Sequence, residues 1–421
     1  MLQGLLIAVA GCLVLITAPL FFDLAICIVG NLFRVRKAHP LERLPIRLAV
    51  IVPAHDEEIM IARTVASIRA ALSSANLSYS VKGGQSLHSI AQSPQAGSPG
   101  STGTPLYVVA HNCTDSTAAI AARAGAQVLV LNDPAQRGKG SALRYGFAAA
   151  QAAGANAFLV VDADSVVSCN LLVATQAALV EGSEATQCRY ELEVPASSRP
   201  HPIARLRALA FRGMNVVRPR GRSGLGFSAG LFGNGFALTA ETLAQVPFHA
   251  DSIVEDMEYH ISLVRHGLQV DWIGEALVHA PLAARGAAQA TQETRWEGGR
   301  MGVARHTTWP LLLNALRGDW RALETLADAW SLPLARAILA LCVVVALPGG
   351  WMHLYALLCV AIALVYVLQA AWLGPEPMRD VVALLAAPLY LIRKAVLTPL
   401  VLLNSHRRAQ WTRTRREAPL P

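Results

Sequence analysis

Two kinds of hydrophobic patterning alternate along the chain. From Leu2 to Phe33 almost every position is apolar, and only Asp23 carries a charge. A run of that length predicts one helix able to cross a hydrocarbon layer of ~30 Å at about 1.5 Å per residue. No basic residue precedes it, whereas Arg34, Arg36, Lys37, Arg43 and Arg47 follow. That charge order predicts an uncleaved anchor over 1–44, with residue 34 onward on the cytoplasmic side.

From residue 45 to about 305 the pattern changes. Short β-branched runs, "LAVIVPAH" (48–55), "LYVVAH" (106–111), "QVLVLND" (127–133) and "AFLVVDAD" (157–164), alternate with Ala-rich helical stretches. This alternation predicts an α/β domain around a largely parallel sheet. Ligands of such sheets sit beyond the carboxyl ends of the strands, and each of these runs ends in His, Asp or both. Residues 80–104, rich in Ser, Gly, Gln and Pro, have little to bury and predict a flexible surface insertion.

Apolar texture returns in 332–373, where two runs joined by "PGG" predict a transmembrane hairpin. Between them and the α/β domain, 306–331 predicts a helix lying along the surface. The last part, 374–421, is apolar over 380–403 but carries Arg393 and Lys394 in mid-run, then a basic tail. Two central charges disfavour a further span and favour an interfacial helix followed by a cytoplasmic tail.

Composition agrees. Of 421 residues 53% are hydrophobic and only 15% charged, with mean hydropathy +0.39, too apolar for an ordinary soluble enzyme. The net charge of +8 lies largely beside the apolar segments. It suits an anionic membrane leaflet, not nucleic acid, because no long Lys/Arg run is interleaved with aromatics. Seven scattered cysteines form no CxxC pair and predict reduced thiols.

Within the α/β domain several stretches carry chemistry. "DAD" (162–164) sets two carboxylates just past a strand, where they would share a hard divalent cation with ligand oxyanions. "VED" (254–256) puts Glu255 and Asp256 at a helix start, as caps or as a general base. Lys139, flanked by glycines at another helix start, suits a phosphate or a solvated surface equally. Residues 221–235 hold six glycines, giving a loop close to a ligand or merely flexible.

Taken in order, these pieces resemble membrane-bound family 2 glycosyltransferases of the GT-A fold, in the branch of cellulose, hyaluronan and poly-N-acetylglucosamine synthases. "VIVPAHDEE" (50–58), "AHNCTDST" (110–117), "RGKGSAL" (137–143), "DAD", "LFGNG" (231–235), "VED" and "QETRW" (292–296, the QxxRW motif) carry the resemblance across roughly 45–305. It implies a Rossmann-like nucleotide-sugar-binding domain in the cytoplasm, flanked by transmembrane helices of a bacterial-type inner membrane. It also implies Mg or Mn as cofactor and inverting transfer from a nucleotide-diphosphate sugar, expected to be a UDP-sugar, to a growing polysaccharide or lipid-linked glycan.

By the same resemblance, Pro53, Glu57, His111, Asp115, Lys139, Asp162 and Arg295 would bind the donor. Asp162 and Asp164 would hold the metal, and Asp256, beside Glu255, would deprotonate the acceptor. Gln292, Trp296, Gly233 and Asn234 would face the acceptor, with the indole of Trp296 against a pyranose. Relatives often carry Asp where this chain has His111. The exchange either alters the donor's base preference or weakens donor binding, unless a group such as Asp115 takes over. A non-catalytic glycan- or nucleotide-binding subunit is the alternative reading; a transporter would need more spans and more intramembrane polar residues. With three predicted spans, export of a polymer would call for a homo-oligomer or a partner protein.

Overall fold

The computed structural model describes residues 1–33, 45–82, 103–136, 138–193, 202–250, 252, 254–282 and 287–395, without side chains for 76–82 and 287–298. Most of the predicted insertion, most of the basic flank and the basic tail lie outside the described residues. In chain order the first elements are α1 (Leu2–Gly30), β1 (Leu48–Ala54), α2 (Ile61–Lys82), β2 (Leu106–His111) and α3 (Thr117–Arg123). Then come β3 (Gln127–Leu131), α4 (Lys139–Ala152), β4 (Ala157–Val160), β5 (Val166–Val167), α5 (Leu171–Val180) and β6 (Ala185–Glu193). Next are α6 (Pro202–Arg212), a π-turn (Gly213–Val217), α7 (Arg218–Leu225), β7 (Phe236–Thr239), α8 (Ala240–Gln245), α9 (Glu255–Arg265) and β8 (Val270–Pro281). The last helices are α10 (Ala287–Leu316), α11 (Trp320–Trp330), α12 (Leu334–Ala346), α13 (Gly350–Trp372) and α14 (Pro377–Ala383).

The eight strands form one sheet in the order β3-β2-β1-β4-β7-β6-β8-β5. β3, β2, β1 and β4 run parallel. β7 is antiparallel to both neighbours, so the sheet is mixed at its centre. Alternation along β1 separates the two faces. Leu48, Val50 and Val52 pack with α2 and α5, while Ala49 and Ile51 pack with α4 and α9. Helices cover both faces, which is why these strands read as nearly continuous apolar runs.

A third cluster joins α1, α6, α12 and α13. α1 and α13 are long and apolar enough to cross a membrane. The sequence predicts α12 as the other leg of a hairpin, yet it has only 13 residues, roughly 20 Å and short of ~30 Å. It follows α11 at a bend of 79° and reaches spanning length only together with it. The predicted surface helix over 306–331 is two pieces, the end of α10 and all of α11. They are separated at 317–319, where Gly318 adopts φ +98 and Asp319 caps α11 by accepting from the Arg321 amide.

The α/β domain is joined to α1 through α7. A Cβ at Gly221 would collide with the carbonyl of Cys27, and one at Gly224 with that of Gly30. The two helices therefore touch backbone to backbone. Asp23, fully buried, accepts hydrogen bonds from Arg218 Nε and Arg222 Nη2, both at 2.7 Å. The run that looks uniformly apolar thus has its charge paired from outside. Gly221→Val should separate α7 from α1 and cost about 1–3 kcal/mol, the usual penalty of overpacking. The thermal unfolding midpoint in detergent micelles should fall accordingly.

Candidate active site

The ends of β1, β2 and β4 open on a cleft of about 700 Å³ lined by Pro53, Glu57, His111, Lys139, Asp162 and Asp164, among others. Two turns form its rim. The loop after β1 passes through Asp56 at φ 51, and that after β2 through Asn112 at φ 49. They interlock: Asp56 accepts from the Thr114 amide at 2.7 Å, and Thr117 Oγ1 from the Glu57 amide at 2.7 Å.

Asp115, expected to bind donor, has its carboxylate engaged within this interlock, accepting from the amides of Glu58 and Thr117 and from Thr117 Oγ1. Asp56, Cys113 and Asp115 are the one group of three metal-type donors close together among the described residues. Both carboxylates serve as caps of the turns.

His111 is 5% exposed, and its Nε2 lies 2.8 Å from the Gln136 carbonyl. A carbonyl only accepts, so Nε2 carries the proton and Nδ1 of the neutral ring is an acceptor. Burial lowers its pKa, keeping the ring neutral. The backbone carbonyl of His111 in turn accepts from His55 Nδ1 at 2.7 Å.

The centre of the site is Lys139. Its ammonium lies 2.5 Å from Asp162 Oδ1 and 3.8 Å from Glu255 Oε1, and donates to the Gly233 carbonyl. Burial alone would lower its pKa, but the carboxylates of Asp162, Glu255 and Asp256 outweigh burial and raise it. In the acids burial wins instead. Burial lifts Glu255 to about 7 against the pull of Lys139, and also raises Asp256.

Gly233 sits between these groups at φ +74. A Cβ there would meet Asp256 Oδ2 at 3.2 Å and Lys139 Nζ at 3.3 Å. Sequence-distant segments, the start of α4, the DAD turn, the glycine-rich loop and the start of α9, therefore converge on one ammonium.

Asn234, expected on the acceptor side, is fully buried. Its Oδ1 accepts from the Asp162 amide at 3.0 Å and its Nδ2 donates to Ser165 Oγ at 2.8 Å, so it holds the DAD turn in place. The side chains of Gln292, Arg295 and Trp296 lie outside the described residues. Their backbone belongs to α10, whose Gly299 abuts Val254, the residue before Glu255.

Two residues had no signal in the sequence. Buried Gln187 on β6 accepts from the Phe232 amide and donates to the Asn234 carbonyl, fixing the loop that carries Gly233. His279 on β8 pairs in register with Val166, just past the DAD turn, and its buried Nδ1 has no hydrogen-bond partner among the described residues.

This architecture is a GT-A-like fold. A mannosyltransferase from Pyrobaculum calidifontis, solved with GDP-Man and Mn2+, superposes with a TM-score of 0.53 at 15% identity, covering 98% of this chain and 99% of its own. Glucosyl-3-phosphoglycerate synthase from Mycobacterium tuberculosis, solved with Mn2+, UDP and phosphoglyceric acid, gives a TM-score of 0.39 at 19% identity, over 66% of this chain and 87% of its own. No curated protein matches the sequence. The family model for "Glycosyltransferase like family 2" matches residues 82–299, just over half of the chain. The chain belongs to glycosyltransferase family 2.

One buried histidine behind the site titrates with the fold. His260 on α9 lies 2.8 Å from Ser228 Oγ and is pushed down to about 4, by burial first and by Arg222 next. Unfolded, it takes up a proton below about 6.5. Its neutral burial therefore contributes stability at higher pH that is lost as pH falls from about 6.5 to about 4, up to about 3 kcal/mol. His260→Gln should flatten that acid limb when the thermal midpoint is followed from pH 7 to pH 4.

Proposed function

We propose that the chain is an inverting, metal-dependent glycosyltransferase that moves a sugar from a nucleotide-diphosphate sugar to a growing polysaccharide or lipid-linked glycan at the cytoplasmic face of a membrane. The observation that carries this reading is the convergence of Asp162, Glu255, Asp256 and Gly233 on Lys139 beside the strand-end cleft.

A cation fits there. An ammonium already lies against Asp162 at 2.5 Å, and carboxylate oxygens are the ligands that Mg or Mn prefer. Asp162 and Asp164, on the DAD turn at the mouth of the cleft, would hold the ion; the Pyrobaculum mannosyltransferase of like fold was solved with Mn2+ and GDP-Man. When bound, it would offset charge on the donor's diphosphate.

The chain's own residues do the rest. Asp256 takes the proton of the acceptor hydroxyl as its oxygen bonds to the anomeric carbon. The bond from that carbon to the phosphate oxygen breaks, and the nucleoside diphosphate leaves with the electron pair. Burial raises the affinity of Asp256 for that proton. Lys139 and Arg295 offset the leaving charge. Pro53, Glu57 and His111 line the nucleoside side, and a neutral His111 offers an acceptor nitrogen where a carboxylate would offer charge. The donor's base is accordingly the open specificity, and uridine and guanosine donors are both to be tried. Gly233, Gln292 and Trp296 form the acceptor side.

Membrane placement rests on α1 and α13. The 23 residues of α13 make roughly 34 Å of helix, and exposed Trp351 and Trp372 mark its two ends as interfacial anchors do. With α12 short, a multi-pass arrangement with the catalytic domain inside is completed by α11 and α12 together.

Membranes carrying the chain, given Mg or Mn, a glycan and lipid extract and a panel of UDP- and GDP-sugars, should release nucleoside diphosphate from one donor. Asp256→Asn should reduce release by about 10²–10⁴-fold, and chelation should abolish it. Undiminished release in that variant would overturn the assignment of Asp256.

A further inference from the structure

Six charged side chains from four helices meet in the seam between α1 and the α/β domain, and the transfer chemistry uses none of them. Asp23 of α1 binds Arg218 and Arg222 of α7. Arg218 Nη2 reaches Asp328 Oδ1 of α11 at 2.7 Å, and Arg222 Nε reaches Glu324 Oε1 at 2.6 Å. Arg300 of α10 closes the set, donating to the Asp328 carbonyl at 2.7 Å, with its carboxylate at 3.5 Å. Three acids balance three guanidinium groups, and Asp23 is fully buried, so no water would replace a lost partner.

Two arms lead from this cluster to the site. In the first, α7 ends at Gly226 in the left-handed conformation and runs directly into the glycine-rich loop. Phe227 of that loop packs edge-on against Trp320 with ring centroids 4.3 Å apart, and Ser228 bonds His260 of α9. The loop then delivers Gly233 to Lys139. In the second arm, Asp328 holds Arg300, one residue from Gly299, where α10 abuts Val254. The same helix carries Gln292, Arg295 and Trp296.

We infer that Asp23 is a positioning residue: through Arg218 and Arg222 it fixes loop 226–235, and through Asp328 and Arg300 it fixes the 287–300 part of α10. The inference rests on the proposed function for the meaning of these segments as the acceptor side and, through Arg295, the diphosphate side. It makes the apolar anchor a working part of the site, because acceptor geometry follows where α1 sits. The donor cleft at the ends of β1, β2 and β4 is built without any of the six charges.

Hydrogen exchange of the full chain in nanodiscs of phosphatidylethanolamine and phosphatidylglycerol reads both arms without an acceptor. Asp23→Asn should speed exchange about tenfold or more in 226–235 and 287–300, leave β1, β2 and β4 at parental rates, and be rescued in part by Asp23→Glu. Arg300→Gln, at the partly exposed end of the cluster, should loosen 287–300 alone. Affinity for UDP–Mn and GDP–Mn should fall in both variants, because the loosened 287–300 carries Arg295, and fall further in Asp23→Asn, where the carbonyl that holds Lys139 is loosened as well.

Unchanged exchange in 287–300 in either variant, or equal loosening of β1, β2 and β4 in Arg300→Gln, would overturn the inference. If Asp23→Asn fails to fold, Asp23→Glu decides it: a smaller speeding of exchange in the same two segments supports the inference, and parental rates in both overturn it. If neither nucleotide binds the parent chain, the donor reading has failed and the exchange result still decides the positioning role.

Discussion

The Lys139 ammonium is the interaction around which the site is organised. Its contacts with Asp162, Glu255 and the Gly233 carbonyl join segments that lie far apart in sequence. Without a cation at that point, three half-buried acids would crowd one another; even with it, Asp162 and Asp256 raise the pKa of Glu255, and Asp162 raises that of Asp256. Gly233 is required for the same reason, since any side chain would enter the gap between Lys139 and Asp256. Gln187 and Asn234 then act one layer behind. They hold loop and turn by buried hydrogen bonds, so the carboxylates keep their places before any ligand arrives.

A second ionic cluster performs the equivalent task at the membrane side. A buried charge in an apolar helix is tolerated when it is paired, and removing one partner of such a pair costs about 3–5 kcal/mol. Asp23 is paired twice, and close packing at Gly221 and Gly224 brings α7 near enough for both arginines to reach it. A comparable pairing of Arg212 with Glu191 and Asp380 ties α6 to β6 and α14. The α/β domain is thereby clamped to the apolar helices by charge as well as by hydrophobic contact.

Much of this was legible in the sequence, for physical reasons. β-branched runs ending in His or Asp mark parallel strands and their ligand edge, and β1, β2, β3 and β4 lie where those runs predict. The long apolar runs of α1 and α13 declare themselves by length alone. What was hidden depends on contacts between distant positions. Lys139 could be read as a phosphate ligand or a solvated lysine, because its acidic partners come from remote segments. Asn234 lies in a motif that suggests an acceptor contact, while its burial directs it to the Asp162 amide. Asp23 looked like an interruption, since its partners lie nearly 200 residues away, Arg222 in the glycine-rich stretch that reads as loop and Arg218 just before it. The shortness of α12 was masked because apolar composition continues past its ends.

The central claim is that the strand-end cleft, with its acids gathered on Lys139, binds a nucleoside diphosphate together with a divalent cation. Paramagnetic resonance of Mn2+ titrated into the purified chain in nanodiscs, with and without UDP or GDP, tests it directly. The account predicts bound Mn2+ that depends on one of the nucleotides and is weakened at least about tenfold in Asp164→Asn, as for loss of a metal ligand. Mn2+ binding that ignores both nucleotides, or that survives Asp164→Asn unchanged, would contradict it.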